Sequence, residues 1–317
     1  MYLQQDSFEW KISSKYYIIA EGIASMQKGH RIMEEKKTKN GIVLEGGGMR
    51  GMYTAGVLDV LMENGITFDG LVGVSAGAIM GTSFASGQSG RSIRYYKRFG
   101  QDKRFMSMRN FFLTGDFVGV DFSYHELPDK LDPFDYEAFR KNPMEFYCGC
   151  SNMETGKSEL IRVEDLHEGI DVLRASATLP YISRPVEWNG QKYMDGGCTD
   201  SIPVRAFRRL GFARNVVVLT RDQGYRKKAG AWWLPGNFYR RYPEFAKQLR
   251  LRFAHYNREV QDIEKMAEKG EICLIRPSRP LRIGRVEADP VKLQEIYDLG
   301  RFDAQNELER IRTFLSC

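Results

Sequence analysis

The chain has 317 residues, 42% of them hydrophobic, and a net charge of +6, the composition of a soluble globular protein long enough to bury a large core. Five scattered cysteines, an odd number in a long chain, argue against a disulfide framework and for a reducing compartment. No apolar run approaches the ~20 residues of a membrane-spanning helix, and Tyr16-Tyr17-Ile18-Ile19-Ala20 is shorter than the ~7–15-residue apolar core of a signal peptide.

Met33-Glu34-Glu35-Lys36-Lys37 resembles a fresh, polar chain start, so residues 1–38 are expected to be a loosely held N-terminal extension, with residues 1–32 an upstream over-translation. Ile42-Val43-Leu44-Glu45 predicts a short buried strand. Residues 52–63 carry apolar side chains at helical spacing, and Asn64-Gly65 closes that helix. Leu71-Val72-Gly73-Val74 predicts a second strand, followed by a helix from Ala76 to Ala85 rich in small residues. Residues 91–145 mix aromatics and charges without a clean period, and are expected to be helices and loops covering one side of a site. Strands follow at residues 146–150 and 158–162, joined by a Glu154-Thr155-Gly156 turn. Val216–Leu219 and Ile272–Ile275 are continuous apolar runs, the pattern of strands buried on both faces. Asp289-Pro290 opens a last helix to about Phe314. Strands alternating with helices imply an α/β fold with a largely parallel sheet. The expected organisation is a core over 39–222, with 223–317 adding one strand and helices to the same globule.

Two glycine-framed turns carry the chemistry. Gly46-Gly47-Gly48-Met49-Arg50-Gly51 follows the first strand and presents backbone N–H groups at a helix start, a site for negative charge. Gly73-Val74-Ser75-Ala76-Gly77 matches G-x-S-x-G, in which a serine sits exposed on a tight strand-to-helix turn and flanking Gly73 and Gly77 remove side-chain clashes. Ser75 is therefore a candidate nucleophile, although a serine there also suits a helix cap. Arg50 is expected to pair with an acid and brace its loop, the other reading being that it attracts the phosphate or carboxylate of a ligand. Gly46, Gly48 and Gly51 also fit a dinucleotide-binding G-x-G-x-x-G with Asp69 as the ribose acid, but Asp69 precedes the second strand instead of closing it.

A serine nucleophile needs a base. His30, His125, His167 and His255 all lie in contexts that favour surface or packing roles. Tyr193-Met194-Asp195-Gly196-Gly197 places Asp195 at a strand end, where Gly196 and Gly197 allow a tight turn. Asp200, followed by Ser201 and Pro203, looks like a helix-start cap.

With G-G-G-x-R-G, G-x-S-x-G and D-G-G in this order, roughly residues 41–204 resemble the patatin-like phospholipases, including Arg174–Pro180 and Asp200–Pro203. The resemblance implies a three-layer α/β/α patatin-like fold with a central, largely parallel sheet, and no metal or other cofactor. It implies a lipid acyl-ester hydrolase with Ser75 as nucleophile and Asp195 as base, which accounts for the unhelpful histidines. The 46–51 loop would form the oxyanion hole, chiefly through Gly47 and Gly48.

Residues 223–258 crowd Arg226, Lys227, Lys228, Arg240, Arg241, Lys247, Arg250, Arg252 and Arg258 against the single acid Glu244, interleaved with Trp232, Trp233, Phe238 and Tyr239. Such a mixture suits an anionic membrane surface, and equally a basic helix whose aromatics pack on the core. No nucleic-acid module accompanies the charge. The expected protein is cytoplasmic, peripheral at the inner face of the membrane, acting on a lipid or another acyl ester. The competing reading is a non-hydrolytic ligand-binding protein that retains the fold.

Overall fold

The computed structural model describes residues 38–231 and 233–316; all but Thr38 of the expected extension, with His30, Trp232 and Cys317, lies outside the described residues. The parallel part of the sheet has the order β3-β2-β1-β7-β8, formed by β1 (Asn40–Leu44), β2 (Gly70–Val74), β3 (Glu145–Asn152), β7 (Arg214–Val218) and β8 (Ile272–Ile275). Three strands pair antiparallel beside it: β4 (Ser158–Arg162) and β6 (Gln191–Asp195) on β3, and β5 (Val186–Trp188) on β6.

The continuous apolar runs arise because helices cover both faces. Ile42, Leu44, Leu71, Val216 and Val218 point into one core with helices α1 (Gly51–Glu63), α2 (Ala76–Ala85) and α10 (Pro290–Ser316). The alternate residues Val43, Val72, Val217 and Ile272 point the other way. There they meet Phe207 of α7 (Val204–Arg209) and Tyr256, Val260 and Ile263 of α9 (Pro243–Glu268). The period-two alternation therefore sorts one apolar strand between two cores, and the result is a three-layer α/β/α fold.

Register brings the motifs together. Parallel pairing sets Leu44 opposite Gly73, so the glycine loop after β1 and the serine turn after β2 emerge side by side. β3 pairs with β2 up to Gly149 opposite Val74; its next residue, Cys150, lies opposite Asp195 on β6. One long strand thus carries Asp195 to the end of the sheet where Ser75 sits.

The stretch that lacked a clear period folds as α3 (Arg91–Phe99), α4 (Met108–Thr114), a π-type helical segment Phe122–Leu131 and α5 (Tyr136–Lys141). Tyr95, Tyr96, Phe105 and Phe122 are buried there and meet edge to face, while Phe112 stays exposed. α6 (Ile170–Ser176) and α8 (Leu234–Phe238) complete the helices. One local expectation fails. Asp200 does not cap α7, which starts at Val204 behind Pro203; its Oδ1 accepts the Ile202 N–H in a turn instead.

Candidate active site

Ser75 alone joins β2 to α2. Its backbone, at φ 55° and ψ −124°, lies where residues with a side chain are rarely found, and such strain persists only when the surroundings enforce it. Here close packing does so. A Cβ on Gly77 would stand 2.4 Å from the Leu44 carbonyl oxygen, and one on Gly73 2.4 Å from the Ala78 Cα. Only bare residues let α2 start this close to the strand ends. The Ser75 side chain makes no capping bond to α2, so the capping role is not realised and the hydroxyl is available to other groups.

That hydroxyl and the Asp195 carboxylate border the same small cavity, and Ser75 is among the groups that act on the carboxylate. Asp195 is 3% exposed. Its Oδ1 accepts the Gly197 N–H at 2.7 Å, and its carbonyl accepts from Ser151 Oγ at 2.8 Å. Burial raises its pKa above the ordinary carboxylate value; the Arg252 charge, the Ser75 hydroxyl, the Gly197 N–H and the Arg285 charge oppose that rise. The stretch 174–180 holds both groups. Ser176 Oγ accepts the Ser75 N–H at 2.9 Å while donating to the Gly149 carbonyl at 2.7 Å. The Thr178 carbonyl accepts the Asp195 N–H at 2.9 Å.

In the glycine loop, Gly48–Arg50 form a 3-10 turn leading into α1. The Met49 N–H is spent on the Arg285 carbonyl at 3.2 Å, and the Gly51 N–H turns back onto the loop's own carbonyls. Among the described residues, the N–H groups of Gly46, Gly47 and Gly48 find no acceptor, and these three residues line a cavity together with Ser75 and Asp195. Arg50 does not brace the loop through an ion pair. It is 7% exposed with its Nε unpartnered, and burial, then the Arg221 charge, lowers its pKa to about 10. The nearest acid, Glu45, is already occupied: its Oε2 accepts the Thr220 N–H at 2.6 Å and its Oε1 the Tyr256 hydroxyl at 2.8 Å.

Ser75 borders two cavities of opposite character. One, about 130 Å³, is apolar and aromatic, walled by Ile79, Tyr95, Phe105, Phe117, Tyr124 and Leu127 among others. The other, about 60 Å³, holds the glycine loop, Asp195 and the cations Arg50, Arg221, Lys227, Arg252 and Arg285. Sequence patterning gave no sign of Arg285, which comes from an irregular loop, nor of Ser176 as a tether. Lys227 and Arg252 stood out only as part of a basic surface; the fold turns them inward, while Trp233, Phe238, Arg240 and Arg241 remain exposed. Phe245 and Tyr239 of the same region are buried. Among the described residues, His125, His167 and His255 border neither cavity, and no cluster suited to a metal ion is present. Asp69 lies at the opposite end of the sheet from the glycine loop, its carboxylate accepting the Asn40 N–H at 2.7 Å, so the dinucleotide reading has no acid in place.

A mostly parallel sheet between two helical layers, with a serine on a strained strand-to-helix turn above its middle, defines the chain as a three-layer α/β protein of the serine-elbow type. A family model for patatin-like phospholipase matches residues 42–208, and the chain belongs to that family. A second model, described only as a domain of unknown function, matches residues 242–316. An uncharacterised Escherichia coli protein, YjjU, is 27% identical over 82% of this chain and 74% of its own length. Lysophospholipase NTE1 of Cryptococcus neoformans is 28% identical over 65% of this chain, which spans 13% of that much longer protein. The solved structure of VipD from Legionella pneumophila covers 86% of this chain and 67% of its own, at 12% identity and a TM-score of 0.43. Among the described residues, no helix is long and apolar enough to cross a membrane.

Proposed function

We propose that the chain is a serine acyl-ester hydrolase acting on lipids, with Ser75 as nucleophile and Asp195 as its base. The observation that carries this reading is a strained, uncapped serine sharing one small cavity with a buried carboxylate on which it acts. Asp195 takes the hydroxyl proton as Oγ attacks the ester carbon, and the oxyanion faces the unpaired N–H groups of Gly46, Gly47 and Gly48. The protonated Asp195 returns its proton to the departing alkoxide. Water, deprotonated by Asp195, then attacks the acyl-serine; the carboxylic acid leaves and Asp195 returns the proton to the departing Ser75 Oγ. The aromatic cavity is suited to the acyl chain, because burying apolar chain there gains ~0.8 kcal/mol per methylene. A fluorophosphonate probe is expected to label Ser75 stoichiometrically. Absence of label, with no ester cleaved across a panel of lysolipids and simple esters, would leave the chain a binding protein.

The base must be ionised, and burial holds the Asp195 pKa above the ordinary carboxylate value. Activity should therefore fall as pH drops through that raised value, with an acid limb in kcat/KM lying above ~4. A flat profile down to pH ~4 would remove Asp195 from the base role.

Peripheral membrane contact belongs to the same proposal. Exposed Trp233 and Phe238 beside Arg240 and Arg241 combine apolar insertion with charge, each cation near an anionic surface contributing ~1 kcal/mol. The protein is expected to float with anionic vesicles and less with neutral ones, a difference that Arg240→Glu with Arg241→Glu erases. Equal recovery on both vesicles would sink the idea.

A further inference from the structure

The polar wall beside Ser75 has more positive charge than its surroundings neutralise. Arg50, Arg221, Lys227, Arg252 and Arg285 line one small cavity whose only carboxylates, among the described residues, are Glu45 and Asp195. Glu45 accepts from Thr220 and Tyr256 and Asp195 from Gly197; the charges of Arg252 and Arg285 act on Asp195, yet two carboxylates face five cations. Among the described residues, none of the five cations forms an ion pair. Arg221 and Lys227 rest on aromatic faces instead, 3.9 Å and 3.8 Å from the ring centres of Tyr225 and Tyr256. The Nε atoms of Arg50 and Arg252 are buried without a partner.

Clustering unpaired cations in a partly desolvated cleft is costly unless an anion enters. The groups themselves register that cost: burial and neighbouring charge push Lys227 down to about 7 and also lower Arg285. Glycine-loop N–H groups lie in the same wall, so charge and backbone donors converge on one point next to the nucleophile. The opposite wall is apolar. An ester carbonyl at Ser75 would have its chain on one side and whatever its alcohol carries on the other.

We propose that this cluster is the headgroup subsite, taking a phosphate-type anion carried close to the scissile ester, and that it selects anionic lipids over those ending in a quaternary ammonium. The assignment rests on Ser75 being the nucleophile. It also gives the C-terminal region a role in the site. Arg252 and Arg285 lie within residues 242–316, matched only by the domain of unknown function, and Arg221 and Lys227 lie beyond residue 208, where the patatin-like match ends. That region completes the site by supplying the charge that reads the headgroup.

The test compares lysophosphatidate, lysophosphatidylcholine and monoacylglycerol of one chain length in the same mixed micelles. Wild-type protein is expected to favour lysophosphatidate in kcat/KM on the order of tenfold over both others, as one or two charge-assisted hydrogen bonds provide. Because Arg252 and Arg285 act on Asp195, the variants chosen are Arg221→Met and Lys227→Met, and each should reduce that ratio several-fold, mainly through KM. Equal kcat/KM on the three lipids, or an equal loss on all three in both variants, overturns the proposal. Inorganic phosphate separates the sources: competitive inhibition of monoacylglycerol cleavage without any preference for lysophosphatidate assigns the cluster to free phosphate and overturns the headgroup role. If Ser75 takes no fluorophosphonate label, the hydrolase reading has failed on its own account. Calorimetric titration with phosphate then decides the subsite: binding that weakens in both variants supports it, and no binding overturns it.

Discussion

Ser75→Ala and Asp195→Asn are each expected to lower ester hydrolysis on the order of 10³-fold or more while the protein stays folded. The size of the effect follows from the interdependence of the two groups. Without Oγ there is nothing to acylate, and without a base the hydroxyl is too weakly acidic to attack at neutral pH. Folding should survive both changes for reasons visible at the site. Asparagine keeps an oxygen to accept the Gly197 N–H at 2.7 Å, and the backbone tethers from Ser151 and Thr178 do not involve the side chain. Asp195→Asn should, if anything, raise the melting temperature at pH 7. Its pKa is raised in the folded state, so any stability it contributes is present at low pH and lost as pH rises through the raised value, leaving the ionised carboxylate a cost at neutrality. Ser75→Ala leaves the positive-φ strain in place, and a neutral change in stability is expected. Residual activity above about a tenth of wild type in either variant, with burst kinetics and melting curves intact, would refute the assignment.

Much of this site was legible in the chain, because its parts are local. A glycine on each side of Ser75 encodes the turn within five residues, and the small side chains of 76–85 encode a helix that packs closely; α2 runs over those same ten residues. The paired Gly-Gly after Asp195 likewise announces a tight turn at a strand end. What the chain did not disclose depends on tertiary proximity. Arg285 reaches the site because its loop docks on the glycine turn through one backbone bond to Met49, and no periodicity marks such a loop. Lys227 and Arg252 were visible as charges, but a charge run carries no record of which members point inward; only the seating of α9 on the sheet sorts Arg252 and Tyr256 from exposed Arg240 and Arg241. Residues 91–145 resisted assignment for a related reason. Several of their aromatics, among them Tyr95, Phe105 and Tyr124, line a cavity in place of a flat core, and a wall built from short helices and a π-type segment imposes no single period.

The longest-range of these dependences runs through the crossing of α1 and α10, where Gly56→Ala is expected to destabilise the fold by about 2–3 kcal/mol. Glycine in a helix interior ordinarily costs up to ~1 kcal/mol relative to alanine, so propensity alone predicts a gain. Packing opposes it more strongly. A Cβ on Gly56 would lie 2.1 Å from the Tyr297 carbonyl oxygen, and one on Gly300 2.1 Å from the Tyr53 carbonyl oxygen. Both obstacles are backbone, which cannot swing aside, and the crossing is held from both sides by Tyr53 to Asp303 at 3.0 Å and Tyr297 to Asp59 at 2.6 Å. The helices must move apart, loosening those bonds and their apolar contacts. Gly81→Ala is the comparison, since its Cβ would meet the end of the Leu71 side chain at 2.9 Å, an atom that can rotate away, and a loss below ~1 kcal/mol is expected. Gly56→Ala combined with Gly300→Ala should cost less than the sum of the two, because the first separation relieves part of the second clash. Activity should fall with stability. α1 begins at the glycine loop and α10 follows the Arg285 loop, so parting the helices pulls the Arg285 carbonyl away from the Met49 N–H, 3.2 Å apart in the native fold. Urea midpoints for the three single variants and the double decide the matter, and a Gly56→Ala protein as stable as wild type would show that the crossing tolerates a side chain.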